Sequence, residues 1–440
     1  VIDQPPTIFA PASGFGRAAV AVIRISGPAS ASVLIRLSGS LPAPRRLVLR
    51  TLQAPQVQET LDQALVVWMP GPGTFTGEDM AELHLHGGPA VRAAVLGALA
   101  ALPGCIPAEP GAFTRRAFLN GRLGLTEAEG IADLINAETE AQRRQALRQL
   151  DGALGRRVAA WRDRLIDLLA GVEAALDFSD EGDVDDDALD AALFAKARVI
   201  RDAIAAALDD GGRGERLRDG FTVVLAGPPN AGKSTLLNAL SRRDAAIVSP
   251  VPGTTRDVIE VRCDLGGLPV LLIDTAGLRE AGDALEAEGI RRTRARIAQA
   301  DLVLLLAEAG SISDVTDLSV PMPPVLRVQT KADLSEGSRS AEGHVISAMT
   351  GEGLDTLLDA IEHHASVSIG GEAALITRQR HREGLTRCRD HLDRLVQGAV
   401  LPELAAEDLR LAVRALGEVA GQVGVEEMLD RLFSGFCIGK

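Results

Sequence analysis

Hydrophobic and polar positions follow different periods in successive stretches of this chain. Over the first 118 residues, short apolar runs (Ala19 to Ile25, Ala64 to Trp68, Ala81 to His86) are separated by turn-forming residues, and one helix-like stretch follows Pro89. Runs of that length predict strands, and the mixture predicts an α/β unit. The period then lengthens. Thr126 and Glu129 stand at capping-box spacing ahead of Ile131, Leu134 and Ile135. Val158, Trp161, Leu165, Leu169, Val172 and Leu176 recur at helical spacing. The acidic run from Asp180 to Asp187 interrupts them and reads as a solvated loop.

From Phe221 the pattern changes again. Phe221 to Ala226, Val270 to Ile273, Leu302 to Leu306, Val325 to Val328 and Val345 to Ile346 are apolar runs separated by helix-length segments. That spacing predicts a parallel sheet with crossover helices. After about residue 370 helix returns, with Leu409, Val413, Leu416 and Ala420 on one face. Each amphipathic helical stretch needs a partner face. The expected fold class is therefore α/β plus α. Residues 1–118 form an N-terminal α/β domain. A helical domain is split between 119–219 and 366–440, and an α/β domain, 220–365, is inserted between its halves. A length of 440 residues is consistent with about three domains.

Charge narrows the partners. The net charge is −14. Segment by segment it is +2 over residues 1–118, −8 over 119–219, −7 over 220–365 and −1 over 366–440. No segment is a basic nucleic-acid footprint, so tight non-specific binding to RNA is not expected. No apolar run approaches the roughly 18 residues of a membrane span, and no signal segment is recognisable. Cys105, Cys263, Cys388 and Cys437 are scattered, forming neither a disulfide framework nor a zinc knuckle. The expectation is a cytoplasmic protein in a reducing compartment. Of 46 basic residues only Lys196, Lys233, Lys331 and Lys440 are lysines, which draws attention to those positions.

Two of them lie in chemistry-bearing motifs. Gly227-Pro-Pro-Asn-Ala-Gly232-Lys233-Ser234 fits GxxxxGK[ST] between a predicted strand and the helical run from Thr235. Glycines let backbone N–H groups close round a phosphate, Lys233 reaches the β/γ oxygens, and the Ser234 hydroxyl suits Mg²⁺. Asp274-Thr275-Ala276-Gly277 ends a strand, where an Asp holds the Mg²⁺ shell and the Gly277 N–H meets the γ-phosphate. Thr330-Lys331-Ala332-Asp333 follows another strand, and Asp333 can accept from guanine N1–H and N2–H₂, which adenine lacks as a pair. Ser347-Ala348 suits the loop behind the base, and Gly253-Thr254-Thr255 suits a switch loop that offers a Thr to Mg²⁺. Five elements in this order resemble the GTPase superfamily. Two departures stand out. Thr330 occupies the usual Asn position, and its hydroxyl cannot replace both arms of an amide. Leu278 stands where Ras-like enzymes have a water-orienting Gln, with Glu280, Asp283, Glu286 and Glu288 nearby.

The ends of the chain add Gly16-Arg17, Val22 to Gly27, Phe75-Thr-Gly-Glu-Asp79, Glu82, His86-Gly-Gly88, Gly111 to Arg122, and the terminus Phe436-Cys437-Ile438-Gly439-Lys440. With the G motifs, these resemble the tRNA uridine-modifying GTPase family MnmE (TrmE) from end to end. The resemblance implies an N-terminal folate-binding domain that dimerises, a discontinuous helical domain and an inserted Ras-like G domain. It implies partnership with the FAD-dependent MnmG to place an aminomethyl or carboxymethylaminomethyl group at C5 of the wobble uridine, position 34, of certain tRNAs. The tRNA would be held largely through the partner. The one-carbon unit would come from a tetrahydrofolate derivative, in its 5-formyl or 5,10-methylene form.

Carried over by motif, the resemblance implies folate contacts at Arg24, Glu82, Arg122 and Lys440, the alternative being a structural ion pair between Glu82 and an Arg. It marks Cys437 as the C-terminal cysteine, either a chemically active thiol or a buried structural one. It implies GTP contacts along Asn230, Ala231, Gly232, Lys233, Ser234 and Thr235, and along Ser249, Pro250, Val251, Pro252, Gly253, Thr254 and Thr255. Asp274 to Gly277, Thr330 to Asp333, Ser347 and Ala348 complete the set. Mg²⁺ would take Ser234 and Thr255; K⁺ would take Asn230, Ser249, Val251 and Thr254. Glu286 would position the attacking water. His84 and His86 alternate on one strand face without a third ligand, so no metal is expected there. The rival class, a ribosome-assembly or signalling GTPase, would need a basic tail or RNA module that the last segment does not offer.

Overall fold

Alternation in the N-terminal strands builds a half-covered sheet. The strands are β1 (Thr7–Pro11), β2 (Ala18–Ser26), β3 (Val48–Gln53), β4 (Thr60–Met69), β5 (Met80–Gly87) and β6 (Cys105–Pro107), in the spatial order β3-β4-β5-β2-β1-β6. Neighbours are antiparallel except β1 and β6. Ile23 and Ile25 of β2 and Ala81, Leu83 and Leu85 of β5 face one core, shared with Val33, Leu34 and Leu37 of helix Ser30–Ser38 and Val95 and Leu99 of helix Pro89–Ala100. Each of these Val, Leu and Ile side chains contributes about 1.5–3 kcal/mol by burial. Period two sends Arg24 and Glu82, paired in register, to the opposite face. The polar site of this unit therefore stands on the sheet face away from those two helices.

The computed structural model describes residues 5–177, 186–243, 245–247, 260–274, 294–308, 323–334, 343–371, 374–397, 401–423 and 426–440. Among them the chain divides into two compact units. One comprises Val1–Ala132, Gly155–Arg162 and Leu416–Lys440; the other comprises Asp133–Leu154 and Asp163–Ala415.

The second unit holds the other sheet: β7 (Phe221–Ala226), β8 (Glu260–Leu265), β9 (Leu268–Asp274), β10 (Leu302–Glu308), β11 (Val325–Thr330) and β12 (His344–Val345), in the order β12-β11-β10-β7-β9-β8. The five expected runs are parallel neighbours. Both faces are covered. Val223 and Leu225 join Leu236, Leu237 and Leu240 of helix Lys233–Ser241 and Leu357 and Ile361 of helix Leu354–Ile369, while Val224 and Val303 pack with Ile297 and Ala300. Burial on both faces is why these strands read as unbroken apolar runs.

The antiparallel edge strand β8 was not expected. Its signal is the alternation of Val261, Cys263 and Leu265 before Gly266-Gly267, whose φ of +59° and +83° suit a two-residue hairpin turn.

In the helical part, Asp186–Leu208 packs along Gln379–Val396, burying Ala197, Ile200 and Ile204 on one helix and Leu385, Cys388 and Leu392 on the other. Arg201 and Asp393 add an ion pair at 3.3 Å. Helix Ala153–Asp177 contains the expected run, but Leu168 rather than Leu169 is buried. The capping box expected at Thr126 is absent. Helix Leu125–Ile135 starts one residue earlier, so Thr126 and Glu129 lie inside it and are buried. Glu127 reaches back instead, accepting from Gly124 N at 2.7 Å. The reciprocal box sits at Thr139 and Gln142, capping helix Glu140–Leu150. Among the described residues no helix is long and apolar enough to cross a membrane.

Candidate functional site

Parallel strands bring their C-terminal ends to one edge of the sheet, and the loops that leave that edge hold the nucleotide motifs. The loop after β7 bends where only glycine fits. Gly227 has φ +146°, and a Cβ there would lie 2.3 Å from Leu306 O. Asn230 adopts φ +63°, and Gly232, at φ +84°, begins helix Lys233–Ser241 with no side-chain cap. That uncapped end turns N–H groups and positive potential toward the loop, the usual cradle for phosphate. Lys233 is buried and donates to Gly227 O at 2.9 Å and Pro228 O at 2.8 Å. Ser234 Oγ donates to Asp274 Oδ2 at 2.6 Å, and Asp274 is fully buried at the end of β9. A hydroxyl and a carboxylate meeting beside a phosphate cradle are a donor set that suits Mg²⁺.

The base end is built from two further loops. Thr330 ends β11, and its buried hydroxyl donates to Ala231 O at 2.8 Å and approaches Ala307 O at 3.2 Å. Lys331 takes φ +61° and pairs with Glu308 on β10. Ala332 N donates to Ile346 O at 3.1 Å, tying this loop to the one after β12. From that second loop the buried Ser347 donates through Oγ to Asp333 Oδ1 at 2.6 Å. The hydroxyl fixes the orientation of an exposed carboxylate. Asn230 to Thr235, Asp274, Thr330 to Asp333, Ser347 and Ala348 thus share one edge of the sheet. Ser249 to Thr255, Thr275, Ala276, Gly277 and Glu286 lie outside the described residues. So do most of the proposed K⁺ ligands and the Thr255 ligand of Mg²⁺.

A second polar site lies on the sheet face that Arg24 and Glu82 share in the other unit. Arg24 donates through Nε to Glu82 Oε1 at 3.1 Å and through Nη1 to Gly439 O at 3.4 Å. Its guanidinium stands 5.7 Å from the Phe75 ring centroid and 5.9 Å from that of Phe113. His84 Nε2 lies 3.4 Å from the other Glu82 oxygen. The C-terminal tail is seated by Phe433 and Phe436 in a small core and by Phe113 N donating to Lys440 O at 3.3 Å. Gly439 has φ +97°, and a Cβ there would lie 2.0 Å from Pro11 O, so no side chain fits. Burial and the neighbouring Arg24 push the Lys440 ammonium below its ordinary pKa of 10.5, against the opposing pull of Glu82 and Cys437.

Arg24, Glu82 and Lys440 therefore come together. Arg122 is exposed, with its stem over Gly77 in the loop that also carries Phe75. Cys437 is an exposed free thiol, whereas Cys105, Cys263 and Cys388 are buried. Burial raises the Cys105 pKa and pushes Cys263 up to about 11 and Cys388 up to about 12. His86 pairs with Asp62 at 2.7 Å, and among the described residues no cluster of three His, Cys, Asp or Glu side chains could hold a metal.

Several supporting residues were missed from sequence. Ser26 Oγ, Thr76 Oγ1, Glu78 and Arg116 form a chain of contacts of 2.7–2.8 Å that ties the loop carrying Phe75 to β2 and to helix Ala112–Leu119. The motifs around Phe75 and Phe113 were visible, but an aromatic wall against Arg24 is a tertiary fact that no local spacing encodes.

Residues 125–437 match the family described as MnmE helical domain, and residues 7–122 match GTP-binding protein TrmE N-terminus. The tRNA modification GTPase MnmE of Methylorubrum populi is 70% identical over 436 residues, covering 99% of this chain and 98% of that protein. The protein of the same name from Rhodospirillum rubrum is 52% identical over 457 residues, covering 99% of each. Among solved structures, the G domain of the T. maritima FeoB iron transporter is 28% identical, covering 33% of this chain and 98% of that one, with a TM-score of 0.25. With both family matches in chain order and end-to-end identity of this level, the chain belongs to the MnmE (TrmE) family of tRNA modification GTPases.

Proposed function

We propose that this chain hydrolyses GTP and couples hydrolysis to modification of the wobble uridine of certain tRNAs, acting in the cytoplasm as a homodimer with the FAD-dependent MnmG. The reading rests on one observation above the rest: Lys233, Ser234 and Asp274 converge beside an uncapped helix N-terminus, with Asp333 oriented by Ser347 on the same sheet edge.

Each residue then has a task. The helix N-terminus and Lys233 take the phosphates, with Lys233 exchanging two carbonyl partners for charged oxygens. Ser234 and Asp274, together with Thr255, would hold Mg²⁺. Asp333 accepts from the guanine N1–H and N2–H₂ edge and rejects adenine, which would leave the carboxylate unpaired. Asn230, with Ser249, Val251 and Thr254, would hold K⁺, and Glu286 would orient the attacking water. The bound cations supply fixed positive charge against the charge developing on the leaving oxygen.

In the other unit, Arg24, Lys440 and Arg122 suit the carboxylates of a tetrahydrofolate derivative, and Glu82 suits the pterin amino group. Cys437, exposed at the same tail, is the candidate thiol for one-carbon chemistry. An assembly or signalling GTPase would have no use for this second site.

The test is reconstitution. The purified chain and its flavin partner, given GTP, a methylene- or formyl-tetrahydrofolate and unmodified tRNA, should modify the uridine in K⁺. Hydrolysis should slow when Na⁺ replaces K⁺, and Glu286→Ala should lower turnover while sparing GDP affinity. Equal rates in K⁺ and Na⁺ would remove the potassium site, and absence of modification in the complete mixture would remove the reading as a whole.

A further inference from the structure

The buried hydroxyl of Thr330 has one proton and faces two carbonyls, Ala231 O at 2.8 Å and Ala307 O at 3.2 Å. The first belongs to the phosphate loop and the second to β10. Thr330 itself ends β11, paired in register with Glu308. A Cβ built on Gly232 would lie only 3.7 Å from its Cβ and Oγ1, so the phosphate loop runs directly against this side chain. Thr330 therefore links loop and sheet.

Guanine presents N7 as an acceptor, which only a donor can meet. A threonine hydroxyl that already donates its proton has only lone pairs left, and those cannot serve an acceptor. Two further side chains beside it, among the described residues, are also engaged: Lys331 pairs with Glu308, and Ser347 Oγ donates to Asp333. Turning the Thr330 hydroxyl toward a base would break both of its carbonyl contacts.

We propose that Thr330 fastens the phosphate loop and gives guanine no hydrogen bond at N7, so that this chain recognises the base by its N1–H and N2–H₂ edge and accepts nucleotides lacking N7 as readily as GTP. The inference rests on the assignment of Asp333 to the guanine edge. An amide side chain at the same position would have two N–H donors and a carbonyl, enough to hold the loop and reach N7 together.

The comparison that tests it uses the unaltered full-length chain and three ligands: GDP, 7-deaza-GDP, which replaces N7 by C–H, and ADP. The expected result is GDP and 7-deaza-GDP affinities within about threefold of one another, with ADP far weaker. A larger loss for 7-deaza-GDP overturns the inference while leaving guanine recognition in place. ADP binding as tightly as GDP removes the Asp333 assignment itself, so the two failures are distinct. Thr330→Asn sharpens the result: that variant should favour GDP over 7-deaza-GDP by about tenfold, the worth of one recovered hydrogen bond. A Thr330→Asn chain that binds both ligands alike would show that position 330 does not face N7, and would also overturn the proposal.

Discussion

The nucleotide site and the Arg24 site are built by different means. The first is a backbone device: consecutive residues leave parallel strands, glycines bend the loop, and a helix begins at Gly232. The second is a side-chain device: Arg24 from β2, Glu82 from β5 and the C-terminal tail meet across a separation of 415 positions between Arg24 and Gly439. A site made of local backbone depends on its strand and loop. A site made of distant side chains depends on the fit of the whole unit, here on a tail held through Phe436 and Gly439. The two should therefore fail separately and respond differently to substitution.

The largest effect is expected from Lys233→Ala. Loss of the cation on the transferring phosphate should lower GTP turnover by about 10²–10³-fold, measured by phosphate release, and leave folate affinity unchanged. Parallel loss of folate binding would break the separation of the two sites. Arg24→Gln comes next. It removes a charge-assisted contact and leaves Glu82 without its cation. Folate affinity should fall by about 1.5–3 kcal/mol in a calorimetric titration, with turnover intact.

A smaller effect distinguishes the second site by pH. Lys440 titrates below 10.5 in the folded chain because burial and Arg24 disfavour its ammonium. An anionic ligand favours that ammonium, so folate affinity should be full below the depressed pKa and fall as pH rises through it. Lys440→Met should weaken binding at neutral pH and abolish this alkaline decline. Chain stability should run the other way, since the folded state binds fewer protons and gains as pH approaches 10.5. The smallest expected change concerns thiols. A disulfide reagent should modify Cys437 quickly in the native chain, with Cys105, Cys263 and Cys388 reacting only on unfolding. Rapid reaction at more than one thiol would contradict the burial of the other three.

The contrast also explains what was legible in the sequence. Phosphate-loop spacing, the strand before it and the Asp that ends β9 are local, and each lies where the pattern put it. Asp333 was legible, but its orientation by Ser347, 14 positions away, was not. β8 went unread because an edge strand buried on one face alternates instead of running apolar, although Gly266-Gly267 marked its turn. At Thr126 the spacing matched a capping box, yet helix Leu125–Ile135 begins a residue earlier because Leu125 is drawn into a core with Ala128, Leu429 and Phe433. In the other unit, single residues were visible but their convergence was not. The rings of Phe75 and Phe113 approach Arg24 only through tertiary packing.

A crossed titration separates these views. GDP and 5-formyltetrahydrofolate are each titrated into the unaltered chain, the Lys233→Ala chain and the Arg24→Gln chain under one buffer. Two independently built sites require that Lys233→Ala weaken GDP alone and Arg24→Gln weaken the folate alone, each leaving the other affinity within about threefold. If either substitution weakened both ligands together, or if the unaltered chain failed to bind either one, the assignment of a guanine-nucleotide site to one unit and a folate site to the other would be wrong.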